Sequence, residues 1–149
     1  MIYTELTKKA LRISFNAHKD QVDKTGMPYV YHPFIVAEGV EDDGEYAVCA
    51  ALLHDVVEDS EITLDDLRAE GFPNEVIEAV GLLTHDDSVP YVQYLYAIKD
   101  NSIAKAVKLS DLSHNMNTDR LDKIDDKALK RLEKYSNALD ILMSNEDEI

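Results

Sequence analysis

The sequence predicts an all-α fold, a compact helical bundle, and three observations carry that expectation. Apolar residues recur at three- and four-residue spacing, the segments between them carry the residues that start and stop helices, and there is little strand signal. One run, AVCAALLHDVV, is apolar on almost every face, as expected of a central helix covered by others.

The elements follow in order. Leu6, Ala10, Ile13 and Ala17 share a helical face behind Thr4, a suitable N-cap, and this helix is expected to stop by Gly26, with Pro28 just beyond. Pro33 suits the first turn of a second helix and sets His32 at or just before its N-terminus. Gly44 opens the central helix. Thr63 and Asp66 form a Thr-x-x-Asp capping pattern for a short helix closed by Gly71. Pro73 starts another, with Val76, Ile77, Val80, Leu83 and Thr84. The segment from Pro90 to Lys99 reads as helical despite its Tyr and Val content. Residues 102–115 carry Ile103, Ala106, Val107 and Leu109, and residues 125–144 are amphipathic through Leu129, Leu132, Tyr135, Leu139 and Leu142. With no internal repeat, low-complexity linker or boundary, residues 1–149 are expected to form one domain.

Composition excludes several classes. Apolar residues make up 45% and charged residues 30%, a globular balance. No stretch approaches the ~18 apolar residues of a membrane span, and the N-terminus lacks a signal-peptide pattern. Cys49 is the only cysteine and reads as a buried, small apolar residue, so no internal disulfide can form. A soluble cytoplasmic protein is expected. The net charge of −15 argues against nucleic-acid and membrane partners, since it repels a phosphate surface at long range. Acids cluster at 41–45, from Glu58 to Asp66, and in the tail from Asn145, mostly as solvated faces. An anionic substrate would then need a locally positive pocket, made by a metal and a few lysines.

The segment Leu52-Leu-His-Asp-Val-Val-Glu-Asp carries the chemistry. Ionisable groups are costly at the end of a buried helix unless something pairs with them. If the helix continues through them, residues four apart lie about 40° from one another, which stacks His54 near Glu58 and Asp55 near Asp59. One imidazole with three carboxylates on a ridge repels itself without a cation. His32 follows Tyr-Val-Tyr in an interior stretch, and Asp111 ends the apolar run from Ala106, so both fit the same site. Two imidazoles and two carboxylates without thiolate suit Mn²⁺, Fe²⁺ or a similar ion with open water positions rather than structural zinc. Such an ion depresses the pKa of water and offsets charge on phosphoryl oxygens. Glu58 and Asp59, a turn beyond, are placed to orient or deprotonate that water.

Three long segments, in order, resemble the HD superfamily and, within it, the hydrolase domain of RelA/SpoT homologues. They are Ala17-His-Lys-Asp-Gln with Gly26-Met-Pro-Tyr-Val-Tyr-His-Pro, then Ala51-Leu-Leu-His-Asp-Val-Val-Glu-Asp-Ser, then Val107-Lys-Leu-Ser-Asp-Leu-Ser-His-Asn-Met. The resemblance implies an HD-domain helical bundle, a Mn²⁺ cofactor and removal of the 3′-pyrophosphate of (p)ppGpp, a small anionic nucleotide. It implies His32, His54, Asp55 and Asp111 as metal ligands and Glu58 and Asp59 as the residues serving the nucleophilic water. Lys108 and Asn115 would face the nucleotide, and Tyr135 would stand at the pocket. With no synthetase or regulatory region in the chain, a stand-alone hydrolase is expected.

Three positions depart from the family pattern. Asp23 stands where the family usually has a guanine-stacking Arg, with Lys24 beside it as a partial substitute in charge. Leu112 and Asn117 stand where the family often has Arg. An HD phosphohydrolase of another nucleotide is therefore a second reading, and a non-catalytic nucleotide-sensing module a third. His18 reads as a structural polar contact, His85 as a loop residue, and His114 as a structural residue or a support behind a ligand. Tyr91, Tyr94 and Tyr96 read as packing or a subunit surface.

Overall fold

Helix α1 (Glu5–His18) starts where expected. The Thr4 hydroxyl accepts from the Thr7 amide while Thr7 Oγ1 accepts from Thr4 N, a reciprocal cap for two otherwise unpaired donors. The computed structural model describes residues 1–117 and 125–144, so the acidic tail from Asn145 lies outside the described residues.

Helix α1 ends at His18, well short of Gly26. Residues 19–30 instead form a tight antiparallel turn, with Tyr29 N donating to Gln21 O and Asp23 N to Met27 O, both at 2.8 Å, and an isolated bridge between Val22 and Pro28. Asp23 holds the turn closed: its carboxylate accepts from Thr25 N, Thr25 Oγ1 and Met27 N. Gly26 supplies the φ of 85° that the reversal needs.

Helix α2 (Tyr31–Gly39) places His32 inside its first turn rather than at or before it, because Val30 is already helical and serves as the flanking residue. Pro33 in that turn gives up no helical hydrogen bond. A 3₁₀ turn (Glu41–Asp43) and Gly44 lead into α3 (Glu45–Leu53), in which every residue from Ala47 to Leu53 is buried. Helix α3 packs against α1 and α2, and against α6 (Asn74–Leu83) and α8 (Ser102–Asn115), so it is the central helix that its composition predicts.

The expected continuation through His54 and Asp55 does not occur: α3 stops at Leu53, and Val56–Asp59 form a separate single turn, α4. His54 breaks the run itself. Its ring Nδ1 lies 2.6 Å from the Ala51 carbonyl oxygen, and its backbone N–H is directed at the same oxygen. The acceptor that would have carried the helix into Asp55 is therefore taken. Helix α5 (Leu64–Ala69) has the predicted capping box between Thr63 and Asp66 and ends before Gly71, whose φ is 94°. Helix α7 (Tyr91–Lys99) and helix α9 (Asp126–Met143) pack on each other and on α8. Among the described residues no helix is long and apolar enough to cross a membrane.

Helices α2 and α8 approach closely at Gly39. A Cβ there would lie 2.2 Å from Ser110 Oγ and 3.2 Å from Ser110 Cβ, and Ser110 Oγ donates to Val36 O at 2.9 Å. This approach brings His32 of α2 alongside Asp111 of α8. Gly39→Ala should therefore cost about 1–2 kcal/mol through crowding and the lost Ser110 bond. Urea denaturation should show it, and adding Ser110→Ala should recover part of the loss. A Gly39→Ala chain as stable as the parent would show that the contact is not tight.

Candidate functional site

His54 hangs at the broken end of the central helix, with its Nδ1 proton donated to the Ala51 carbonyl. With Nδ1 so engaged, Nε2 is the ring atom that faces the two carboxylates, and this buried atom has no hydrogen-bond partner. It lies 3.1 Å from Asp55 Oδ2 and 3.6 Å from Asp111 Oδ1. His32 Nε2 comes to the same place, 2.9 Å from Asp111 Oδ1 and 3.8 Å from Asp55 Oδ2. His32, His54 and Asp55 each offer one donor atom within 4.8 Å of the others.

These separations suit a shared cation. Donors about 2.1 Å from one ion stand ~3.0 Å apart at right angles and ~3.4 Å apart at tetrahedral angles. The orphaned His54 nitrogen and the mixed nitrogen–oxygen donor set both fit a divalent ion. The structure thus brings together all four sequence-predicted ligands.

A ring of further side chains orients this set. His32 Nδ1 lies 2.7 Å from His114 Nδ1, so when Nε2 faces a cation the Nδ1 proton is donated to His114. His114 is buried and takes the supporting part foreseen for it. The Tyr29 hydroxyl donates to Asp55 Oδ2. Lys108 Nζ donates to Asp111 Oδ2 at 3.0 Å, and Asn115 Nδ2 donates to Asp111 Oδ1 at 3.1 Å. Lys108 is turned toward Asp111 and the Tyr94 ring, 5.4 Å from its centroid, and does not line the adjoining cavity.

Glu58 and Asp59 are not stacked behind His54 and Asp55 on one ridge, because the helix is broken before them. Glu58 Oε1 accepts from the backbone N–H of His85, and Asp59 Oδ2 accepts from Gln21 Nε2 at 3.3 Å. The two acids thus lean toward different loops. His85 is the loop residue expected, and its Nε2 lies 2.8 Å from Val89 O while its ring packs on Tyr94 at 4.6 Å, which anchors the amide that Glu58 uses.

A cavity of about 350 Å³ opens beside His32, with Gln21, Lys24, Tyr29, Asn115, Asn117, Arg131 and Tyr135 among its walls. The predicted Lys24, Asn115 and Tyr135 all border it. Leu112 is packed in the core and takes no part, so the absence of Arg there removes no charge from the wall. Arg131 was missed by sequence reasoning, although it lies one turn before Tyr135 on the same helical face, a spacing that could have revealed it. Tyr29 and His85 gave no such signal, since loops bring them in.

The charges are strongly coupled. Burial pushes the Asp55 carboxyl up, but His54 outweighs this, with help from His32, and holds it at about 2. Burial also opposes ionisation of Asp111, yet Lys108 and the two histidines keep it well below the usual carboxylate range. Burial would lower His54, but Asp55 and Asp111 raise it well above its ordinary value. Partial loss of water raises Glu58, and nearby Asp55 and Asp59 push the same way. Without a metal, a proton on His54 offsets the carboxylates.

A cation must therefore displace that proton. In the metal-free chain the His54 contribution to stability is complete below pH ~6.5 and is lost as pH rises through its raised value. The Asp55 contribution is present above pH ~3.9 and is lost as pH falls toward its carboxyl value of about 2. Mn²⁺ affinity should rise with pH, releasing about one proton per ion. Calorimetry in buffers of different ionisation enthalpy measures this. Binding independent of pH would exclude His54 as a ligand.

Comparison with known proteins places these features. The HD domain family model matches residues 10–109. The guanosine-3′,5′-bis(diphosphate) 3′-pyrophosphohydrolase MESH1 of Danio rerio is 32% identical over 124 residues, covering 76% of this chain and 68% of that protein. The GTP pyrophosphokinase of Streptomyces coelicolor is 33% identical over 143 residues, and the matched region spans 87% of this chain but only 17% of that longer protein. The solved structure of a metazoan orthologue of SpoT, described as hydrolysing ppGpp, shares the fold with a TM-score of 0.78 at 23% identity. That superposition covers 97% of this chain and 89% of the other. A family model spanning most of the chain, on an all-α fold with the His-Asp pair at the end of its central helix, makes this chain a member of the HD domain family.

Proposed function

We propose that residues 1–149 act as a single HD-type phosphohydrolase domain that removes the 3′-pyrophosphate of (p)ppGpp with the help of Mn²⁺, in the cytoplasm. The observation that carries this reading is the juxtaposition of a cation-seeking donor set with a cavity whose wall holds Lys24 and Arg131 in an otherwise acidic chain. His32, His54, Asp55 and Asp111 would hold the ion. Bound there, it supplies Lewis acidity that favours deprotonation of water and offsets charge on phosphoryl oxygens.

The residues divide the remaining work. Glu58 and Asp59, on α4 next to the donor set, orient the attacking water and take its proton; burial raises the Glu58 carboxyl, which makes it a stronger proton acceptor. Lys24 and Arg131 face phosphate oxygens, and Asn115, Asn117 and Tyr135 offer polar and aromatic contacts to the nucleoside. The similarity to relatives named as guanosine-3′,5′-bis(diphosphate) 3′-pyrophosphohydrolases supports this substrate. Asp23 favours the second reading, an HD phosphohydrolase of another phosphorylated nucleotide, because its carboxylate is committed to holding a turn on the cavity wall.

Metal-stripped protein given ppGpp should release pyrophosphate only when Mn²⁺ is added. Asp55→Ala should abolish turnover, and Glu58→Gln should lower kcat by roughly 10²- to 10⁴-fold. Arg131→Ala should raise KM more than it lowers kcat. If the Mn²⁺-loaded protein is silent on ppGpp but cleaves another nucleotide in a panel, the second reading stands. Metal binding without turnover of any nucleotide would leave only the sensing module.

A further inference from the structure

Asp59 is held by a chain of side chains that none of the roles above employs. His18, in the last turn of α1, is completely buried, and its Nδ1 lies 3.0 Å from Gln21 Oε1. Gln21 Nε2 donates to Asp59 Oδ2 at 3.3 Å, and His18 Nδ1 stands 4.0 Å from the same oxygen.

The chain runs in only one direction. An ionised carboxylate accepts and cannot donate, so Gln21 must turn its NH₂ toward Asp59 and its carbonyl toward His18. His18 must then carry its proton on Nδ1. Its Nε2 is buried and without a hydrogen-bond partner, which is the kind of unsatisfied group that calls for a reason. The Tyr29 ring packs on His18 with centroids 5.0 Å apart, and on His32 at 5.5 Å, so the imidazole is fixed from its other side as well.

We propose that Gln21, oriented by buried His18, is a positioning residue that holds Asp59 in its working rotamer. Asp59 needs such a hold. It sits on a helix of a single turn and its side chain is 29% exposed, so the element that carries it is short and partly solvated. Gln21 also borders the cavity, so its hydrogen bond ties the loop that forms the cavity wall to the acid beside the donor set. A small misplacement of such a group is costly in rate because the reacting geometry is lost. The kinetic consequence rests on the phosphohydrolase reading; the hydrogen-bonded chain does not.

Two measurements test it. Kinetically, Gln21→Met, which cannot donate a hydrogen bond to Asp59, should lower kcat roughly 10- to 100-fold with KM nearly unchanged. In an Asp59→Ala background, Gln21→Met should cost nothing further. A raised KM at constant kcat would make Gln21 a substrate contact. A lowered Tm at constant kcat would make it structural, and additive losses would make it independent of Asp59. Each of these overturns the proposal. By NMR of substrate-free protein, the Gln21 side-chain amide protons should move to solvent-like positions in Asp59→Ala, and no movement would also overturn it. The NMR arm decides the contact even if wild-type protein turns over nothing, an outcome that would defeat the functional reading instead.

Discussion

Two carboxylates pointed at one small space, Asp55 and Asp111, are the constraint around which this molecule is arranged. Like charges in a partly desolvated site cannot both stay ionised unless cations or donors face them. The fold meets that demand with His32 and His54 on one side, with Lys108, Asn115 and Tyr29 on the other, and with room among the donors for a divalent ion. A proton on His54 is the weaker substitute when the ion is absent, which ties occupancy of the site to pH.

Bringing those groups together takes three local features: a broken helix, a close helix-helix approach and a tight turn. His54 ends the central helix by capturing the Ala51 carbonyl with its own ring, which frees Asp55 to turn back toward its neighbour. Gly39 lets α2 settle against α8 more closely than any side chain would permit. The turn between α1 and α2 carries Tyr29 onto Asp55 and Gln21 onto Asp59. The broken helix and the turn give up local helical regularity and gain positioned polar groups, a pattern expected where a fold serves chemistry.

The charge distribution follows the same division. The surface is strongly acidic, while the cavity next to the donor set gathers Lys24 and Arg131. An anion entering that cavity would leave a field that repels it for one in which these basic side chains attract it. The acidic exterior repels a phosphate backbone at long range, whereas the basic side chains that an anion would meet stand on the cavity wall beside the donor set.

Much of this was written in local patterns. Helix spacing and the caps at Thr4 and Thr63 are short-range properties, and the structure follows them within a few residues apart from the early end of α1. The uniformly apolar run at 47–53 announced the central helix, and the ionisable residues at its end announced a site, because burying charge without a partner is too costly to be accidental. What the sequence could not show is where the chain leaves a helix for a side chain's sake. Continuous spacing through His54 and Asp55 predicted a ridge carrying Glu58 and Asp59, yet one ring-to-carbonyl bond broke it. The hold of Gln21 on Asp59, of the His85 amide on Glu58, and of His114 behind His32 joins residues far apart in the chain. By itself, then, the sequence determined the helices, their burial and the four candidate ligands, since these follow from periodicity and the energetics of single residues. The tertiary structure alone decided how those ligands converge and which neighbours orient them, because hydrogen bonds between distant segments depend on packing that no local pattern encodes.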